Sequence, residues 1–231
     1  MRILTAILAS LFATVPAFAH DLWLEPTPDG FQLNYGHATA SGHAGATSLT
    51  YAPDFAQRAV CWTAGGERES VAIERGFPTF VAADCAALWL EASSGVWTTT
   101  VDGTRNVAPD GLSGVVRSWR SVESTKRIDT WHDSLRMPLA DGLELVPQEN
   151  PLDMEPGQKL RLLVTLGGVP VAGANVAYGG EIRGVTGSDG EINLRLREAG
   201  LQFITASIRL PAGEPGINEI VYATTLHFEL E

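Results

Sequence analysis

Along most of this chain, apolar and polar residues alternate with a period of two. Leu160, Leu162 and Val164 interleave with Arg161, Leu163 and Thr165, and Ile192, Leu194 and Leu196 with Asn193, Arg195 and Arg197. Tyr222, Thr224, Leu226, Phe228 and Leu230 form a last set of the same kind. Successive side chains of a β-strand point to opposite faces, so these runs predict strands with one face turned inward. Turn-forming clusters stand between them: Pro28-Asp29-Gly30, Gly167-Gly168, Gly179-Gly180, Ser188-Asp189-Gly190 and Pro215-Gly216. Short strands joined by such turns predict an all-β protein of two β-sandwich-like domains. Only the stretch 115–128 admits a helix on this pattern.

The start of the chain predicts a specific hairpin. His20, Leu22 and Leu24 share one side of a first strand, and Leu33, Tyr35 and His37 share one side of a second. Thr27-Pro28-Asp29-Gly30 lies between them as a turn. With Pro26 opposite Phe31, the cross-strand pairs become Leu24–Leu33, Leu22–Tyr35 and His20–His37. Directly opposed residues have Cβ atoms about 4.5–5.5 Å apart. One register thus pairs the apolar face and brings two histidines together at the open end, and a slip of one residue destroys both features.

Ahead of this hairpin, residues 1–19 follow the plan of a secretory signal. Arg2 gives the positive start, Ile3 to Val15 an apolar core too short to span a bilayer, and Ala17-Phe18-Ala19 an A-x-A cleavage site. The expectation is a periplasmic protein that begins, once processed, at His20. A boundary is expected near Asp141-Gly142. It separates an N-terminal β-rich, metal-binding domain (20–141) from a C-terminal sandwich domain (142–231), the latter of a size for seven strands.

Charge and cysteine content narrow the partners. Across 231 residues there are 27 acidic and 16 basic side chains, a formal net charge of −11. Such a surface disfavours nucleic acid and anionic membrane and favours cations. The two cysteines, Cys61 and Cys85, are expected to form a disulfide in an oxidising compartment, with a two-cysteine metal site as the alternative.

Candidate chemistry rests on the five histidines. Processing at Ala19 would free the amine of His20, and a terminal amine together with the Nδ1 of the same histidine closes a chelate ring on one metal ion. The amine titrates near 7.7–8.0, so a metal can displace its proton at neutral pH. His37 is either the partner ligand or a satisfied histidine at a strand end. His43, in the loop Thr39-Ala40-Ser41-Gly42-His43-Ala44-Gly45, is a third candidate. His132 is a remote fourth, oriented by Asp133, or a surface histidine beside Trp131. His227 shares a face with Thr225 and Glu229, which predicts an exposed and idle side chain. Catalytic signatures such as H-E-x-x-H, G-x-S-x-G, the P-loop and G-x-G-x-x-G are missing from the sequence, and no enzyme activity is expected. The six tryptophans are scattered in a way that favours core and edge packing over a sugar platform.

The segment His20-Asp21-Leu22-Trp23-Leu24-Glu25-Pro26 resembles the start of the DUF4198 family, whose processed members begin with histidine. Tyr35-Gly36-His37 is similar to the family's early Gly-His, and Ser121 to Lys126 to its mid-chain Ser-x-x-x-x-Lys. Leu143-Glu144-Leu145-Val146-Pro147, Asn150-Pro151 and Pro156-Gly157 resemble its linker. Residues 168–176 with Ser188-Asp189-Gly190 resemble its prealbumin-like sandwich module, although Val169 stands where a lysine is common. The resemblance implies a prealbumin- or immunoglobulin-like second domain. It also implies a periplasmic accessory protein for nickel or cobalt uptake beside the membrane subunits of an energy-coupling-factor type transporter. In that role His20 is the anchor ligand, His37 its partner, and no catalysis is involved. Two other readings stay open at this point: a copper protein using the same N-terminal histidine brace, and a structural β-sandwich without metal.

Overall fold

The computed structural model describes residues 21–39 and 42–231, the side chains of 38, 39 and 42–46 excepted. The strands run in chain order as β1 (Asp21–Thr27), β2 (Gly30–Thr39), β3 (Gly42–Ser48), β4 (Ala56–Trp62), β5 (Arg68–Val71) and β6 (Thr79–Val81). There follow β7 (Ala87–Thr100), β8 (Gly103–Arg105), β9 (Val115–Ile128), β10 (Glu144–Pro147), β11 (Lys159–Leu166) and β12 (Val169–Pro170). The last are β13 (Asn175–Tyr178), β14 (Glu181–Val185), β15 (Glu191–Arg195), β16 (Gly200–Pro211) and β17 (Glu219–Leu230). Two short 3-10 turns, Asp133–Arg136 and Pro151–Asp153, complete the elements. Among the described residues no helix is long and apolar enough to cross a membrane.

These strands form three sheets. A small first sheet has the order β1-β2-β3, with β6 also on β2; a third sheet has the order β10-β11-β12, with β15 on β11. Between them lies a large sheet, β14-β13-β16-β17-β9-β7-β4-β5, with β8 on β7. The layering can be read from β7, whose side chains divide between two cores. Leu88, Leu90 and Ala92 pack with Leu22, Leu24, Phe31, Leu33 and Tyr35 of the first sheet. Ala87 and Trp89 pack with Leu145, Leu160, Leu162 and Val164 of the third. A strand covered on both faces has no polar side to show, which is why residues 86–90 read as an unbroken apolar run. Each fully buried leucine here contributes roughly 1.5–3 kcal/mol.

The large sheet crosses the Asp141-Gly142 turn. β17 pairs with β9 in parallel from Glu219 opposite Trp119 to Phe228 opposite Ile128, so strands from both halves of the chain share one ladder. The chain after Gly142 contributes four strands to the third sheet and four to the large sheet facing it, a sandwich built on a shared wall. The predicted turns form where expected. Gly167-Gly168 and Gly179-Gly180 each have positive φ at both residues, the geometry that a two-residue hairpin turn demands.

Two expectations are corrected. The stretch 115–128 is the strand β9, not a helix: it lies between β7 and β17, and from Ser124 to Ile128 both its faces are buried, although Val115 and Val116 at its start are exposed. That double burial erases the alternation that marks a half-buried strand. His227 is fully buried, not exposed, because the first sheet covers the face of β17 to which it points.

Cys61 in β4 and Cys85, just ahead of β7, form a disulfide with Cα atoms 5.5 Å apart. It lies in the core between the first and large sheets, and the pairing rules out the two-cysteine metal site.

Candidate metal-binding site

The first hairpin has the register that the apolar pattern predicts. Leu24 is opposite Leu33, Leu22 opposite Tyr35 and Pro26 opposite Phe31, and the ladder reaches Asp21 opposite Gly36. Leu22, Leu24, Leu33 and Tyr35 all face the large sheet, so this register is fixed by burial. His20 lies outside the described residues. His37, one residue beyond the last described β1–β2 pair, is exposed and stands opposite Thr47 of β3. A register shift between His37 and Thr39 bends the β2–β3 end, and β3 approaches β16 of the large sheet. His43 belongs to β3, and its side chain lies outside the description.

His132 sits elsewhere. It caps the 3-10 turn Asp133–Arg136, its Nδ1 accepting from the backbone N–H of Ser134 at 3.2 Å and lying 2.5 Å from that residue's hydroxyl. Its ring rests on Gly66 in the β4–β5 turn, where a Cβ would come within 2.6 Å of the imidazole. Glycine is therefore required at 66 both for this contact and for its φ of +80°. The β2–β3 end lies toward β16 and His132 toward the β4–β5 turn, four strands apart in the large sheet, or roughly 19 Å at about 4.8 Å per strand. Asp133 pairs with Arg136 and accepts from the Trp131 indole, and so does not orient His132 through any bond seen here. Among the described residues, no group of three or more His, Cys, Asp or Glu side chains is placed to hold a metal ion.

The face of the large sheet under the first hairpin carries a polar row that the sequence pattern did not single out. His227 Nε2 accepts from the backbone N–H of Leu24 at 3.2 Å and lies 3.2 Å from Thr125 Oγ1, and its ring stacks on Phe203. One step along β9 is Glu123. Its Oε1 accepts from Ser121 Oγ at 2.9 Å and Ser94 Oγ at 3.4 Å, and Ser94 is in turn held by the Trp97 indole at 3.0 Å. Its buried Oε2 has no hydrogen-bond partner. Burial pushes this carboxyl up to about 7, against the two serine hydroxyls that favour its ionised form. Tyr35 feels it: burial first, and then the Glu123 charge, raise the phenol above its ordinary value.

On the opposite face, Lys126 and Glu144 form an ion pair, Nζ to Oε1 2.6 Å, with both side chains wholly buried. Glu144 Oε2 also accepts from the backbone N–H groups of Leu139 and Ala140 at 2.8 and 3.1 Å. Burial lowers the Lys126 pKa, and the Glu144 carboxylate opposes that shift. The two segments that resemble the family's mid-chain and linker motifs thus meet in a structural bond between β9 and β10, away from the histidines. The resemblance drew attention to both segments, but no hydrophobic pattern in the sequence joined Lys126 to Glu144.

Beside the start of β1 a cavity of about 320 Å³ opens against the large sheet, with Asp21, Tyr178, Arg197, Leu201 and Phe203 in its wall. The first described residue therefore borders open space.

Nothing among the curated proteins and nothing among the solved structures matches the chain. The model of a family described as a domain of unknown function, DUF4198, matches residues 17–210, a span that takes in every strand from β1 to β15 and nearly all of β16. The chain belongs to the DUF4198 family.

Proposed function

We propose that this protein is exported, processed to begin at His20, and binds a nickel or cobalt ion at the outer end of its first sheet, for delivery to a membrane transporter of the energy-coupling-factor type. The observation that carries the reading is the β1–β2 register. Its last described pair is Asp21 opposite Gly36, and one further pair of the same ladder would set His20 opposite His37. The amine and imidazole of His20 and the imidazole of His37 then form the donor set. Nitrogen donors of this kind suit divalent nickel and cobalt. The direction of transport and the transporter class rest on the family resemblance described above.

The test is nickel and cobalt calorimetry on correctly processed protein and on protein with one extra residue before His20. The extra residue turns the amine into an amide, a poor ligand near neutral pH. Affinity should fall at least tenfold, or about 1.4 kcal/mol, and His37→Ala should lose a comparable amount. Equal affinity with free and blocked N-termini would overturn the reading. Copper titration is not the discriminator, since copper(II) binds most tightly at almost any nitrogen site.

A further inference from the structure

With 27 acidic side chains for 16 basic ones, this chain offers its arginines many acids to pair with. Most of the described arginines take one: Arg117 and Arg209 share Glu219, Arg120 holds Glu214, and Arg127 holds Asp129. Arg68 and Arg75 form no ion pair among the described residues and are held by main-chain oxygens instead. Yet both line one hollow of about 350 Å³ at the β4–β5 edge of the large sheet, together with Arg58, Ser70, Ile73 and Asp141.

The hollow follows from the shortness of β5. That strand pairs only with Ala59 to Trp62 of β4, so Gln57 and Arg58 are left with no strand on the outer edge. Arg75, beyond the end of β5, reaches this stretch. Its Nε donates to the Ala56 carbonyl at 3.3 Å and its Nη2 to the Gln57 carbonyl at 3.2 Å, which leaves Nη1 without a hydrogen bond to the described residues. Arg68 donates from Nε to the Leu139 carbonyl at 2.5 Å, and both its terminal nitrogens are left over in the same way. Arg58 grips both oxygens of Glu91 through Nε and Nη2, while its Nη1 stands 3.8 Å from Asp141 Oδ2, beyond hydrogen-bond reach.

Three guanidinium groups are thus anchored by the chain's own oxygens, and each keeps at least one terminal donor in reserve. Donors fixed in advance lose little freedom when a ligand arrives, and the guanidinium fork matches the paired oxygens of a carboxylate or phosphate. Even with Asp141 and Glu91 counted, the three arginines leave positive charge in excess, on a protein whose overall charge is −11. The volume is that of a small-molecule site.

We infer that Arg68, Arg75 and Arg58 form a binding site for a small anion with carboxylate or phosphate oxygens. The site is built from β4, β5, the segment after β5 and the Asp141 turn, and it does not depend on the metal reading above.

Calorimetric titration of the intact protein with citrate and with inorganic phosphate, at constant ionic strength, tests this and tells the two sources apart. Wild type should bind at least one of the two. Arg68→Gln and Arg75→Gln should each weaken that binding about tenfold or more, whereas Arg105→Gln on β8 removes the same charge outside the hollow and should leave it unchanged. Asp141→Asn should tighten binding about two- to fivefold, since it removes the negative charge of the lining. The Asp141 side chain is exposed and makes no hydrogen bond among the described residues, so this variant reads the site without disturbing the fold. Binding of neither anion at millimolar concentration would overturn the inference. So would an equal loss in Arg105→Gln, or an affinity that neither Arg75→Gln nor Asp141→Asn alters.

Discussion

The backbone N–H of Leu24 donates to Nε2 of His227 at 3.2 Å, tying the first strand to the last across 203 residues. The ring has Thr125 on the same nitrogen and Phe203 stacked against its face, 5.5 Å between centroids. His227 is therefore the point at which the first hairpin is fastened to the large sheet, which positions the proposed site.

His227→Ala should leave the Leu24 N–H buried without an acceptor and open a gap under Phe203. A loss of about 1–3 kcal/mol in unfolding free energy is expected from the orphaned donor alone. Chemical denaturation with and without the substitution measures it. The metal affinity of the folded variant should be retained, because His227 contributes no ligand. A variant as stable as the wild type would show that the hairpin is held by its apolar face alone.

Glu123 should make stability depend on pH in an unusual direction for an acid. Its folded pKa of about 7 lies above the ordinary carboxylate value, so between roughly pH 4.5 and 7 the folded state holds a proton that the unfolded chain has lost. Its contribution is fully present below that window and is lost as pH rises through it, by an amount on the order of 3 kcal/mol for metal-free protein. Among the described residues, the groups shown to interact with the carboxyl are Ser121 and Ser94, which do not titrate, and Tyr35, whose phenol is raised above its ordinary value. Melting temperatures of wild type and Glu123→Gln from pH 4.5 to 8 should diverge in the lower half of the range and favour the variant at the upper end. Parallel curves would show that burial does not perturb this group.

The Lys126–Glu144 pair should behave as a unit. Lys126→Met strands a buried carboxylate whose remaining partners are two backbone N–H groups, and a loss of about 3–5 kcal/mol is expected. Adding Glu144→Gln removes the stranded charge and keeps an acceptor for Leu139 and Ala140, so the double variant should recover a good part of that loss. A double-mutant cycle by urea unfolding reads the coupling directly. Additive losses would mean that the two charges do not depend on each other.

What the sequence revealed and what it hid have one physical origin. The first hairpin was legible because its turn and its apolar row together admit one register, and the structure has that register down to Pro26 opposite Phe31. The disulfide was legible because an even pair of cysteines, behind a segment that reads as a secretory signal, leaves few alternatives. His227, Glu123 and Lys126 were not, because period-two alternation tells which face a residue occupies and not what covers that face. Over Ser124–Ile128 of β9 and Thr224–Phe228 of β17 both faces are covered, so polar side chains there, such as Lys126 and His227, are buried partners and not solvent contacts. In 115–128 the polar residues are buried at one end and the apolar Val115 and Val116 exposed at the other, so the stretch lacks the alternation of a half-buried strand. For the histidines, the sequence supplied the register that leads to position 20, while only the structure separated His132 from the hairpin end.

The parallel pairing of β17 with β9 also sets an order of events during synthesis. β17 leaves the ribosome after every other described strand, yet it fills a central place, between β16 and β9. Until it arrives, two long strands with complementary ladders stand beside an empty slot, each offering a row of unpaired backbone groups to any passing chain. The joining contacts span about a hundred residues of sequence, a loop closure that slows folding. A newly made chain should thus stay vulnerable to mispairing until β17 is available, and a chain cut before Glu219 is expected to self-associate instead of persisting as a stable half. Both halves would then reach their native state together, in a single late closure.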